Sequence, residues 1–128
     1  MQVFDVDQVV TIDCDDTLVM WPENKTTFPY TTPASHTQPY EGSVGFPDPY
    51  DGGTNFLVPH EKHINLLKKY KARGFCIIVW SAGGVKWAKS VVETLALQDY
   101  VDIVLTKPNR YVDDLACEKW MGCRVYIK

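Results

Sequence analysis

Three carboxylates crowd into the four residues Asp13-Cys14-Asp15-Asp16, and a hydroxyl follows at Thr17. Before them stands Val9-Val10-Thr11-Ile12, a short β-branched run that reads as a buried strand ending at a polar edge. Carboxylates so close repel one another, and a divalent cation is the simplest remedy. Oxygen-only donors with no histidine nearby suggest magnesium. In extended chain, residues two apart point the same way, so Asp13 and Asp15 face one site while Cys14 turns into the core. Two co-facing carboxylates can divide the work: one attacks as nucleophile, and the other gives a proton to the leaving group and later takes one from water. Acids and threonine after a strand also make turns or cap helices, so this motif alone decides nothing.

Other segments must bring partners to it. Phe75 to Trp80 (FCIIVW) is the most apolar run in the chain and predicts a central strand ending at Ser81. A helix is expected over residues 59–73, with His60, His63, Ile64, Leu67 and Lys71 on one face and Gly74 ending it. A second is expected from Gly84 to Leu97, with Val85, Ala88, Val91, Val92 and Leu95 as its apolar stripe. Val101–Leu105 predicts a third strand, Arg110–Val112 a short fourth, Leu115–Met121 a helical turn or two, and Cys123–Ile127 a closing strand. Strands separated by helices pair in parallel through right-handed crossovers. The expectation is an α/β fold, a three-layer α/β/α sandwich with a Rossmann-like, mostly parallel sheet. Open sheets of this kind bind ligands at the carboxyl ends of their strands. Asp13, Asp15, Ser81, Lys107, Asp113 and Asp114 all fall at or just beyond such ends.

Between the acidic cluster and the first helix, residues 21–58 hold most of the prolines and half of the glycines, and no period survives. Their aromatic content argues against plain disorder. The segment reads as an ordered flap or long excursion, with room for a short hairpin, and a loop this long is usually functional. Its aromatics, Trp21, Phe28, Tyr30, Tyr40, Phe46, Tyr50 and Phe56, either stack on a flat ring such as a nucleobase or pack beneath the flap; packing is preferred. Lys25 and Arg110 are candidates for contacts to a second phosphate or a sugar.

The 128 residues are expected to form a single domain. A formal charge of −3 provides no basic field for tight binding to duplex nucleic acid. No stretch approaches a membrane span, and the acid-bearing start of the sequence does not read as a secretory signal. The four cysteines form no CxxC pair and read as buried free thiols of a cytoplasmic protein, not as a zinc site. Asp5-Val6-Asp7 lacks the following hydroxyl and is read as solvated. Lys86 lies opposite its helix's apolar stripe and is read as an exposed charge. His60 and His63, three apart on a core-facing helix, are read as packing or surface polarity before metal ligation.

Taken in order, these segments resemble the haloacid dehalogenase (HAD) superfamily of phosphatases. VVTIDCDDTL resembles its first motif, an apolar strand followed by DxDxT. IIVWSAGG resembles the second, and VLTKPNRYVDD the compact form of the third and fourth. The resemblance implies that Asp13 attacks phosphorus and becomes an aspartyl phosphate. It implies that Asp15 is the acid/base and lends its main-chain carbonyl to Mg2+, and that Thr17 braces the loop. Ser81 would bond a phosphoryl oxygen beside the Ala82 and Gly83 amides. Lys107 would offset charge in the transition state, and Asp113 and Asp114 would complete the metal site with Asp13. The segment 21–58 would be the cover of a small, nearly capless member. A small-molecule phosphate ester, such as a nucleotide or sugar phosphate, is the expected substrate. A nucleic-acid 3′-phosphate is the second expectation, and a non-catalytic binding module on the same scaffold the third.

Overall fold

The computed structural model describes residues 8–22, 35–122 and 124–128. The two β-rich runs become neighbours: β1 (Val9–Asp13) pairs in parallel with β5 (Cys76–Ser81) from Val9↔Cys76 to Asp13↔Trp80. On the other side of β5 lies β6 (Ile103–Thr106), also parallel, so the order is β1-β5-β6. The connections are helical. α1 (Glu61–Ala72) precedes β5 and α2 (Val85–Thr94) follows it, both shorter by a residue or more at each end than their apolar periods predict.

Registered residues of parallel strands share a face, so Val10, Ile12, Ile77, Val79 and Val104 line one side of this sheet. Ile64 and Leu67 of α1 and Trp87, Ala88, Val91 and Val92 of α2 join the same cluster as Ile77 and Val79. The described residues therefore form an α/β fold with a parallel three-stranded sheet and two helices in one core. Val9, Ile103 and Leu105, on the opposite side, are exposed. A partly buried ion pair fastens α1 to the sheet. Lys71 Nζ lies 2.7 Å from Asp102 Oδ1, while the Ile77 amide donates to Asp102 Oδ2 at 2.8 Å.

The excursion is ordered where it is described. Residues 44–59 form an antiparallel hairpin, β3 (Val44–Pro47) with β4 (Thr54–Pro59). Gly52 turns its tip with φ +75°, a conformation an L side chain rarely adopts. β4 also pairs with β2 (Val19–Met20), giving a second sheet of order β2-β4-β3. The hairpin packs into the main core rather than over an empty site: Phe46 and Leu57 are fully buried in the cluster with α2. Phe28, Tyr30, Lys25 and the Asp5–Asp7 pair lie outside the described residues.

Two strand expectations are corrected. Arg110–Val112 is irregular and Val112 fully exposed, and residues 124–127 are irregular as well. Cys123 lies outside the described residues. Short β-prone runs make strands only when a neighbour supplies the ladder, and these have none among the described residues. Leu115–Met121 contains one 3-10 turn, Cys117–Lys119. No helix of the described residues is long and apolar enough to cross a membrane.

Candidate active site

Asp13 closes β1, and the chain then winds back on itself. The Cys14 carbonyl accepts from the amides of Thr17, Leu18 and Val19 at 3.1, 2.9 and 3.1 Å. Asp16 sits within this turn at φ +57°, a left-handed conformation that aspartate tolerates better than most residues. Cys14 points inward and is fully buried, as the alternation requires. Burial, with Asp15 and Asp13 beside it, pushes its thiol up, so Cys14 is an inert core residue. Cys76 is likewise buried and free.

Asp13 and Lys107 both line an open cleft of about 1020 Å³ that runs along β1 from Val9, between Tyr70 of α1 and the C-terminal Tyr126, with Asp15, Asp16 and Thr17 also on its wall. Desolvation raises the Asp13 carboxyl above its ordinary range; Lys107 and the Cys14 amide oppose this, and the charges of Asp15 and Asp16 add to it. Lys107 is tied to the strand ends by its own amide, which donates to the Ser81 carbonyl at 2.9 Å. Next to it, the Thr106 hydroxyl accepts from the Val85 amide at 3.0 Å and so caps α2, whose Gly84 offers no side chain for the purpose.

Asp15 and Ser81 are bonded to each other. The Ser81 hydroxyl donates to Asp15 Oδ2 at 2.9 Å and accepts from the Gly83 amide at 3.0 Å. Ser81 is fully buried, so both its hydroxyl and the Gly83 amide are engaged within the protein. Asp15 Oδ1 accepts from two indoles, Trp21 Nε1 at 2.8 Å and Trp87 Nε1 at 3.0 Å. Both carboxylate oxygens therefore accept hydrogen bonds from within the protein. Sequence reasoning missed these donors. Trp87 precedes Val91 by four positions and so belongs to the apolar stripe of α2. A buried indole there, with one N–H to satisfy, was the available signal.

Asp113 and Asp114 stand apart. Both are exposed, neither lies on the cleft wall, and neither is among the charges acting on Asp13. Asp113 Oδ1 instead accepts from the Leu115 amide at 3.0 Å, a local turn. Among the described residues no three His, Cys, Asp or Glu side chains are grouped to hold a metal.

The histidines serve packing. His60 caps α1 by accepting from the His63 amide, and the two rings stack at 3.8 Å. The Ile127 amide donates to His63 Nε2 at 2.8 Å, so Nδ1 carries the proton and donates to the Thr17 carbonyl at 2.7 Å. His63 thereby joins the acidic loop, α1 and the C-terminal segment. Tyr126 reinforces this by donating to the Asp16 carbonyl at 3.1 Å.

No family model, no curated protein and no solved structure matches this chain.

Proposed function

We propose that the protein is a magnesium-dependent phosphomonoesterase of the HAD type, acting on a small phosphorylated metabolite such as a nucleotide or sugar phosphate. On this reading the chain is a single HAD-like domain of a cytoplasmic enzyme. The parallel sheet and its helices belong to a Rossmann-like, three-layer sandwich. One observation carries the proposal: a half-buried, charge-crowded Asp13 closes a parallel strand, feels the charge of Lys107, and shares with it the wall of the cleft that runs along β1. A carboxylate so placed is exposed to an incoming phosphorus and poorly neutralised by its surroundings.

Asp13 attacks phosphorus, and the ester oxygen leaves with a proton from Asp15. Water then attacks the phosphorus of the aspartyl phosphate and gives its proton to Asp15, releasing inorganic phosphate and restoring Asp13. Lys107 compensates negative charge on the transferring group. A hard cation would be held by the Asp13 carboxylate, which burial and the charges of Asp15 and Asp16 leave poorly neutralised, and by the Asp15 main-chain carbonyl. Magnesium bound there would neutralise charge on the phosphoryl oxygens. Asp113 and Asp114 enter this reading only if residues 108–114 close toward Asp13. Ser81 supports Asp15, and a direct bond from it to phosphate requires its hydroxyl to turn from Asp15.

The cleft favours one second reading. It runs on from the acidic loop along β1, and Arg124 and Lys128 share its wall with Lys107, which suits a phosphate-ended nucleic acid strand. The test is hydrolysis of p-nitrophenyl phosphate with and without magnesium, beside Asp13→Asn. The variant is expected to lose at least about a thousandfold in rate. Activity that survives chelation or this substitution contradicts the mechanism. Nucleotides, sugar phosphates and phosphate-ended oligonucleotides assayed side by side separate the two substrates.

A further inference from the structure

Asp15 is held by tryptophans from separate parts of the chain. Trp21 follows β2 where the excursion begins, and Trp87 lies in the first turn of α2. Their indole N–H groups converge on the same carboxylate oxygen, while Ser81 at the end of β5 holds the other. An indole N–H is a donor only and has a single direction, so each ring fixes one bearing on the carboxylate. With three donors from three separate parts of the chain, Asp15 cannot rotate about its Cβ–Cγ bond without breaking a hydrogen bond.

The two rings pack against each other with centroids 6.2 Å apart, and each touches the excursion. Trp21 meets His36 edge-on at 5.2 Å, and Trp87 meets Phe46 of β3 at 6.4 Å. Trp87 is almost wholly buried and Phe46 completely so. The Ser90 hydroxyl donates to the Pro47 carbonyl and binds the hairpin to α2 independently. The hairpin thus supports the ring that orients Asp15.

We propose that Trp21 and Trp87 are positioning residues that clamp the Asp15 carboxylate beside Asp13, and that the β3–β4 hairpin braces the clamp from behind. This rests on the reading of Asp15 as the acid/base, and it assigns the excursion a role in holding a reacting group.

The first arm of the test needs no turnover. The protein has four tryptophans, so the indole region of a proton–nitrogen correlation spectrum holds four cross-peaks, assignable from single Trp→Phe variants. Asp15→Asn replaces a charged acceptor by a neutral one. The Trp21 and Trp87 indole protons are expected to move upfield and exchange faster, with Trp80 and Trp120 unmoved. Unchanged Trp21 and Trp87 signals overturn the clamp.

The second arm uses Trp21→Phe and Trp87→Phe, which keep a ring and delete one N–H. Each is expected to lower kcat on p-nitrophenyl phosphate about tenfold with KM nearly unchanged, the consequence of losing one hydrogen bond to a charged group. Both variants losing thermal stability while keeping wild-type kcat would leave the rings a packing role only and overturn the proposal. If the wild type hydrolyses no phosphate ester, the phosphatase reading fails, and the spectrum alone decides whether the clamp exists.

Discussion

Asp13 is destabilised by its own neighbourhood. Burial and the charges of Asp15 and Asp16 outweigh the help from Lys107, which raises its carboxyl above the ordinary 3.8. A raised acid is one whose charged form the folded state disfavours, so at neutral pH Asp13 lowers stability. The penalty disappears once pH falls below the ordinary value and both states are protonated. In magnesium-free buffer, Asp13→Asn is therefore expected to raise Tm by a few degrees near neutral pH; a lower Tm would show that Lys107 already neutralises the site. The location of this residue was legible because a β-branched run ended in acids. The partners of Asp15 were not legible. Trp21 reads as one flap aromatic among several and Trp87 as one apolar residue in a stripe. Only the folded chain brings both N–H groups to one oxygen.

At the scale of elements, periodicity located both helices and the three parallel strands, because a buried face imposes its period over many residues. It failed beyond Lys107. Arg110–Val112 and the residues from 124 to 127 are β-prone, yet strand formation depends on a neighbouring ladder that composition does not report. Asp102 shows the same dependence. It precedes β6 as an ordinary loop acid, but its side chain is only 3% exposed and joins Lys71 of α1 to the Ile77 amide of β5. Asp102→Ala leaves that amide unpaired and the lysine without its partner. It is expected to cost about 2–3 kcal/mol in chemical denaturation. Asp102→Asn, which keeps an acceptor for Ile77, is expected to cost less. Equal losses would place the whole effect in the ion pair.

Across the whole molecule, His63 links parts far apart in sequence: the Thr17 carbonyl behind the acidic loop and the Ile127 amide near the C-terminus. Desolvation, with the neighbouring His60, lowers it below its ordinary 6.5, against the opposing bond to Thr17. A histidine held neutral gives its full contribution above the ordinary value and loses it as pH falls through the depressed folded one. Tm of the wild type is expected to drop as pH is lowered from about 7.5 to about 5. His63→Gln should begin lower and decline less over that range. A parallel decline in the two proteins would assign the pH dependence to other groups.

The central claim is that phosphate passes through a covalent bond to Asp13. Borohydride reduces an acyl phosphate to an alcohol, so protein quenched during turnover of p-nitrophenyl phosphate with magnesium can be reduced, digested and read by peptide mass spectrometry. The account predicts reduction confined to the peptide containing Asp13, absent without substrate. Reduction at another aspartate, or sustained turnover with Asp13 never reduced, would contradict it.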